Sequence, residues 1–113
     1  MNTLLLGKSG EDIAEVYLKG LGHSILRRNY RNRSGEIDIV SLKESKIYFT
    51  EVKTWRSNIL HPLEAFHKKK CARMRIAAGS FFYECGWKES DFLVSFCLLT
   101  IKNKSINFYV DLF

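Results

Sequence analysis

Cysteine, proline and long apolar segments are scarce in this sequence, and each scarcity excludes a class of protein. There is one proline, and the three cysteines, Cys71, Cys85 and Cys97, match no zinc or disulfide framework. We therefore expect free thiols in a reducing compartment. The three consecutive leucines near the amino terminus fall short of the roughly 7–15 apolar residues of a signal peptide and the roughly 20 of a membrane span. These absences predict a cytoplasmic protein without a membrane partner.

Positive charge is in excess. The 113 residues include 18 Lys and Arg against 12 Asp and Glu, a formal net charge of +6, which favours a polyanionic partner such as nucleic acid. The proportions of hydrophobic residues (46%) and charged residues (27%) are typical of globular proteins. Because there is no internal repeat and no linker-like tract, the length predicts a single domain over residues 1–113.

Hydrophobic periodicity predicts two helices and five strands. Ser9 and Asp12 resemble a capping box and begin a helix over Gly10–Gly20, while a longer helix follows Pro62 and ends near Gly86. The apolar stripe of the longer helix comprises Leu63, Phe66, Met74, Ala77, Ala78, Phe81 and Phe82. The predicted strands are Ser24–Arg31, Glu36–Leu42, Lys46–Thr54, Phe92–Ile101 and Ile106–Leu112. The order α-β-β-β-α-β-β predicts a mixed sheet flanked by helices.

The second and third strands form a predicted hairpin around a turn at Glu44 and Ser45. Its register would place Asp38 opposite Glu51 and Glu36 opposite Lys53. Strand alternation puts these four on one face with Val40, Leu42, Ile47 and Phe49, and puts Ile37, Ile39, Tyr48 and Val52 on the other. Facing carboxylates repel, and Mg²⁺ or Mn²⁺ would offset that repulsion. Two other interpretations stay open, a surface ion cluster and a register slipped by one residue.

Asp38, followed after twelve residues by Glu51-Val52-Lys53, resembles the Asp…Glu-x-Lys signature of restriction-endonuclease-like nucleases. The surrounding motifs are more specific: Gly7-Lys8-x-Gly10-Glu11, Ala14, Tyr17-Leu18, Arg28-Asn29-Tyr30-Arg31 and Gly35-Glu36-Ile37-Asp38. Together they resemble the YraN-like family of uncharacterised bacterial proteins, itself similar to archaeal Holliday-junction resolvases. The resemblance is dense from Gly7 to about Arg56 and looser through residues 62–65 and 70–78.

The resemblance implies an α/β, restriction-endonuclease-like fold, with a central mixed β-sheet flanked by α-helices, and a metal-dependent nuclease site. Asp38 and Glu51 would hold Mg²⁺ or Mn²⁺, Lys53 would lie beside the scissile phosphate, and Glu11 would be an additional acid. We also predict that the carbonyl of Val52 is a metal ligand.

Two features depart from the family pattern. Ser95-Phe96-Cys97 stands where the family usually has Arg-Phe-Asp, and the arginine expected just after Glu-x-Lys is displaced to Arg56, behind Trp55. The first departure puts any role of that aspartate in doubt. Neither departure touches the Asp…Glu-x-Lys residues.

Two basic clusters flank the predicted carboxylate site. One comprises Arg27, Arg28, Arg31 and Arg33, with Tyr30 among them, and the other comprises Lys68, Lys69, Lys70, Arg73 and Arg75. Positive charge with an interleaved aromatic side chain is typical of surfaces that contact a phosphate backbone. We predict nucleic-acid contacts from Arg28, Arg31, Arg33, Lys68, Lys69, Lys70 and Arg73. The alternative for each cluster is a solvated basic face.

These features together predict a Mg²⁺- or Mn²⁺-dependent endonuclease acting on DNA, with branched or single-stranded DNA as candidate substrates. The alternative is a non-catalytic nucleic-acid-binding module that retains a degenerate nuclease site. Resolvase-like chemistry would need two sites and hence a homodimer, which no sequence feature establishes.

Overall fold

The computed structural model describes residues 9–33, 35–55 and 66–113, with the side chain of Trp55 left out. The elements in chain order are α1 (Gly10–Gly20), β1 (Ser24–Asn32), β2 (Gly35–Lys43), β3 (Lys46–Trp55), α2 (Lys68–Cys85), a 3₁₀ turn (Glu89–Asp91), β4 (Leu93–Lys102) and β5 (Ser105–Tyr109). No helix in these ranges is long and apolar enough to cross a membrane.

The five strands form one mixed sheet in the order β1-β2-β3-β4-β5. Neighbouring strands are antiparallel except for β3 and β4, which run parallel. A parallel pair needs a crossover connection, and the segment that contains α2 supplies it. The predicted α/β class is thereby confirmed, and the arrangement is consistent with a restriction-endonuclease-like fold.

The two helices cover opposite faces of the sheet. On one face α1 contributes Ala14 and Leu18 to a core with Ile39, Leu99 and Ile101. On the other face α2 contributes its predicted apolar stripe, and the aromatic rings of Phe81 and Phe82 pack against that of Phe49 at centroid distances of 5.9 and 5.8 Å. The candidate site residues Asp38 and Glu51 lie on β2 and β3, two strands that contribute residues to both cores.

The first helix has the boundaries that its sequence predicts. Ser9 accepts a hydrogen bond from the amide of Asp12, and Asp12 accepts one from the amide of Ser9, so the capping box is complete. Gly10 lets this end of the helix approach β3, because a Cβ atom there would lie 2.6 Å from Oγ1 of Thr54. The close approach brings the first turn of α1 next to the carboxylate-bearing strands.

The second helix begins later than the sequence predicts. Phe66 and His67 are not helical, and His67 caps α2 by accepting a hydrogen bond from the amide of Lys70. The predicted start at Pro62 and the stripe residue Leu63 lie outside the described residues. The rest of the stripe within the helix, from Met74 to Phe82, is buried as predicted.

The last strand ends at Tyr109 rather than at Leu112. Asp111 has a positive φ of 53°, which turns the chain out of the extended conformation. The turn carries Phe113 onto Phe96, where the two rings stack at 4.6 Å. The carboxyl-terminal residues therefore close the core beside α2 instead of extending the sheet.

Candidate metal and nucleic-acid site

The β2–β3 hairpin has the predicted register, but its ladder stops one pair short of the carboxylates. Five pairs from Lys43↔Lys46 to Ile39↔Thr50 match the prediction. Asp38 and Glu51 come next and are not paired, because the two strands part there. Instead, the amide of Val52 donates a hydrogen bond of 2.7 Å to Oδ2 of Asp38. The Asp38 carboxylate thus accepts a hydrogen bond from β3 at the point where the backbone ladder between β2 and β3 ends.

The predicted pairing of Glu36 with Lys53 is wrong. Glu36 pairs with Arg31 of β1, and Nε of Arg31 lies 2.9 Å from Oε2 of Glu36. Because β2 has separated from β3 at this point, β1 is the neighbouring strand that Glu36 meets.

The predicted strand alternation also fails at Asp38. Ile37 belongs to the core beside α2, whereas Ile39 belongs to the core beside α1, although the pattern puts both on one face. Asn29, which lies across from Asp38 between two ladder pairs, has a positive φ of 52°. At this position the end of the β1–β2 hairpin is rotated relative to the rest of the sheet. Ile37 and Ile39, the neighbours of Asp38 along β2, are therefore buried in different cores.

Asp38 is a buried carboxyl group with a strongly perturbed acidity. It is 6% exposed. Burial, followed by the negative charge of Glu51, raises its pKa from 3.8 to about 6, and the hydrogen bond from Val52 opposes the rise. The charges of Glu11 and Glu36 add smaller contributions in the same direction. The fold therefore holds this carboxylate against an electrostatic cost.

Glu51 is equally buried, at 5% exposure, but cations compensate it on one side. Its Oε1 lies 2.7 Å from Nζ of Lys70 and 3.5 Å from Nζ of Lys53. Its Oε2 is buried and has no hydrogen-bond partner among the described residues. A buried carboxylate oxygen without a partner is costly, and it is an unused ligand position for a cation.

Lys53 connects the buried glutamate to solvent. Its side chain is 41% exposed, while its ammonium group remains within ion-pair distance of Glu51. Because residues 51 and 53 are two apart on β3, they project to the same face. A phosphate that approaches Glu51 from solvent would meet this ammonium group.

Glu11 lies in the first turn of α1 and is half-buried. Its carboxylate is 3.8 Å from Nη2 of Arg28, and its charge contributes to the raised pKa of Asp38. Among the residues that the structure describes, no three His, Cys, Asp or Glu side chains converge closely enough to hold a metal ion. The arrangement therefore offers a two-carboxylate site, with Glu11 at its periphery.

The arginines of the first basic cluster are mostly engaged within the protein. Arg28 lies 2.6 Å from Asp12 and 3.7 Å from Glu15, so a phosphate would have to compete with the carboxylates of α1. Arg31 is exposed but paired with Glu36. Arg33 is exposed and has no ion pair within the described residues. This cluster is a weaker candidate for phosphate contact than its sequence suggests.

The second basic cluster is divided by the geometry of α2. Lys68 and Lys69 are exposed in the first turn, whereas Lys70 turns inward to Glu51. Arg73 is exposed and, together with Lys70, lines a cavity of about 230 Å³ whose other walls are Gly35, Glu36 and Met74. A phosphate entering this cavity would lie between the helix and β2.

The sequence predicts Lys70 on a phosphate-binding surface, but in the structure its ammonium group contacts Glu51. A signal was present, because Lys70 precedes Met74 by four residues and thus continues the apolar stripe of α2. A lysine on the core-facing stripe of a helix requires a buried partner. Only the fold shows that this partner is Glu51.

Cys97 belongs to the fold rather than to this site. It lies in β4, pairs with Thr50 of β3 one residue before the position that pairs with Glu51, and is fully buried. Its Sγ lies 3.2 Å from Oγ of Ser95, and burial raises the thiol pKa to about 11. The thiol is therefore neutral at physiological pH.

Comparison with known proteins supports the resemblance found in the sequence. The model of the uncharacterised protein family UPF0102 matches residues 10–101. The UPF0102 protein of Leptospira interrogans is 43% identical over 109 residues, which cover 95% of this chain and 93% of that protein. The UPF0102 protein of Chloroherpeton thalassium is 45% identical over 83 residues, covering 72% and 64% of the two chains. The chain therefore belongs to the UPF0102, or YraN-like, family of uncharacterised proteins.

Proposed function

We propose that this protein is a metal-dependent nuclease that hydrolyses phosphodiester bonds in DNA. The observation that carries the proposal is the pair of buried carboxylates, Asp38 and Glu51, held where β2 and β3 part. A fold that needed only stability would not bury two neighbouring carboxylates, since their repulsion and desolvation oppose folding. A function that uses their combined charge accounts for the arrangement.

The residues present fit Mg²⁺ or Mn²⁺. Such ions take hard oxygen ligands, and Mg²⁺ sites commonly use one or two carboxylates together with water and substrate phosphate. Oε2 of Glu51 is buried without a partner among the described residues and Asp38 lies beside it, so these two side chains would hold the ion, with the Val52 carbonyl as a proposed third ligand. When bound, the metal would polarise a phosphoryl oxygen and lower the pKa of water.

The residues of the chain have separable roles in this proposal. The Val52 amide fixes the orientation of the Asp38 carboxylate through their hydrogen bond. Lys53, anchored by Glu51 and open to solvent, would stabilise the negative charge that develops on the phosphate oxygens in the transition state. The exposed Lys68 and Lys69 at the amino terminus of α2 would bind the phosphate backbone of DNA, aided by the helix dipole.

A cleavage experiment tests the proposal. The purified chain is incubated with supercoiled plasmid and with branched and single-stranded oligonucleotides, in Mn²⁺, Mg²⁺ or EDTA. We expect nicking or cleavage only with metal, and we expect Lys53→Met to abolish it while DNA affinity stays within about twofold, because one central charge acts mainly in the transition state. Lys88→Met, an equal charge change on an exposed residue before β4, is the matched control.

The alternative, a nucleic-acid-binding module without turnover, has one observation in its favour. Two lysines already compensate the charge of Glu51. DNA binding without cleavage under every metal condition would establish this alternative. Equal cleavage by wild type and Lys53→Met would contradict the assignment of Lys53. Resolvase-like chemistry would need a homodimer, and analytical ultracentrifugation of the chain with a four-way junction would test for one.

A further inference from the structure

The side chain of Lys70 contacts Glu51 and also borders a cavity. Its ammonium group forms the shortest ion pair of Glu51, at 2.7 Å, and its side chain also lines the cavity between α2 and β2. The side chain is 25% exposed, so it is accessible from that cavity. Among the described residues, Lys70 is thus the only cationic side chain that both contacts Glu51 and lines the adjacent cavity.

The contact with Glu51 is incompatible with a close divalent cation. Lys70 and Lys53 both approach Oε1 of Glu51, so the carboxylate already faces two positive charges. A third cation, carrying two charges, on Oε2 would lie close to both ammonium groups, and like charges repel strongly in a partly buried setting. Of the two lysines, Lys53 can turn to solvent, whereas Lys70 faces the cavity.

The cavity offers Lys70 a second anion. Its wall includes Arg73, and Lys70 belongs to the amino-terminal turn of α2, where the helix dipole favours negative charge. Of the residues that the structure describes, Glu36 is the one carboxylate in the wall, and Arg31 compensates it. Gly35 allows β2 and α2 to approach each other closely at this wall, since a Cβ at position 35 would lie 3.1 Å from Cβ of Arg73. A backbone phosphate fits this combination of charges.

We propose that Lys70 exchanges between Glu51 and a nucleic-acid phosphate, so that metal binding and nucleic-acid binding at this site favour each other. In the free protein Lys70 compensates Glu51. Metal binding displaces Lys70 into the cavity, where it binds phosphate, and by linkage the phosphate strengthens metal binding by the same factor. This inference rests on the proposed function, because it requires a metal at Asp38 and Glu51.

Metal affinity alone provides the first test. Mn²⁺ is titrated by calorimetry at pH 8, without DNA, into wild type, Lys70→Met and Lys88→Met. Since Lys70 competes with the metal for Glu51, Lys70→Met should bind Mn²⁺ about three- to tenfold more tightly than wild type, the range expected for one partly buried ion pair. Lys88→Met should match wild type. Equal or weaker binding by Lys70→Met would show that Lys70 orients Glu51 for the metal, and would overturn the exchange.

Coupling provides the second test. The titration is repeated with a saturating phosphorothioate oligonucleotide, which resists cleavage. Direct contact between metal and phosphate leaves some coupling in every variant, so the expected result is a coupling factor at least threefold smaller in Lys70→Met than in wild type, and restored in Lys70→Arg. An equal factor in wild type and Lys70→Met would overturn the proposal.

If Lys70→Met fails to fold, the Mn²⁺ affinity of wild type with and without oligonucleotide still tests the exchange. An oligonucleotide that leaves the Mn²⁺ affinity of wild type unchanged would by itself overturn the exchange. Absence of any Mn²⁺ binding by wild type would overturn both this inference and the proposed nuclease. Metal-dependent cleavage together with unchanged Mn²⁺ affinity in Lys70→Met would overturn the exchange alone.

Discussion

Replacing Asp38 by asparagine should stabilise the metal-free protein, and the effect should depend on pH. The folded protein raises the pKa of Asp38 from 3.8 to about 6, because the carboxyl group is buried beside Glu51. The folded state therefore favours the protonated form, and stability is lost as the pH rises from the unfolded pKa through the folded one. An asparagine side chain carries no such penalty at any pH.

The magnitude follows from the shift. A difference of about 2 pKa units corresponds to about 3 kcal/mol in the free energy of unfolding above pH 7. The side-chain carbonyl of the substituted asparagine can still accept the hydrogen bond from the Val52 amide, and its NH₂ group can donate to a neighbouring carboxylate oxygen. We therefore expect Asp38→Asn to exceed wild type by up to about 3 kcal/mol at pH 8, and to match it below about pH 4.

Urea unfolding in EDTA at several pH values measures this difference directly. Asp111→Asn is the matched control, because its carboxyl group has a lowered pKa, caused by Ser95 and the ion pair with Lys46. That variant should be no more stable than wild type at pH 8. Equal stability of Asp38→Asn and wild type at pH 8, or an advantage that grows toward acidic pH, would refute the reasoning.

The same geometry leads to three further predictions. Mn²⁺ at ten times its Kd should add about 1.4 kcal/mol to wild-type stability, and Asp38→Asn should lose most of that gain, as thermal melting would show. Replacing Lys68 and Lys69 by methionine should reduce the salt slope of DNA binding by up to about 2; an unchanged slope would exclude them from the interface. Arg28→Met should lower the melting temperature and leave the salt slope of DNA binding unchanged, since Arg28 binds the carboxylates of α1. A smaller salt slope in this variant would indicate that Arg28 contacts phosphate.

Local sequence signals predicted the parts of the fold that local interactions determine. The capping box at Ser9 defines the start of α1, and the two-residue turn at Glu44 and Ser45 fixes the register of five pairs in the β2–β3 hairpin. Both depend on residues within a few positions along the chain. The predicted pairing of Asp38 with Glu51 is not formed, because the ladder ends one pair earlier, but the charge of Glu51 still acts on Asp38.

The parts that the sequence did not reveal depend on contacts between distant segments. The positive φ of Asn29 lies across the ladder from Asp38, and only the folded sheet shows that the end of the β1–β2 hairpin is rotated there. Strand alternation assumes a regular strand, so it misassigned Ile37 and paired Glu36 with the wrong strand. Likewise, the contact between Lys70 and Glu51 joins residues 19 positions apart, on a helix and a strand whose approach the sequence pattern does not specify.

The cysteine at position 97, where the family resemblance implies aspartate, does not weaken the proposed site. Phe49 and Phe96 both pack on the α2 face, so alternation directs Cys97 and its partner Thr50 to the α1 face, away from Glu51. Cys97→Ser should therefore leave the Mn²⁺-induced rise in melting temperature unchanged, while the buried hydroxyl, with Ser95 as a partner, should cost about 1 kcal/mol of stability. Thermal melting with and without Mn²⁺ measures both effects. Loss of the metal-induced rise in a folded Cys97→Ser variant would place position 97 in the metal site after all.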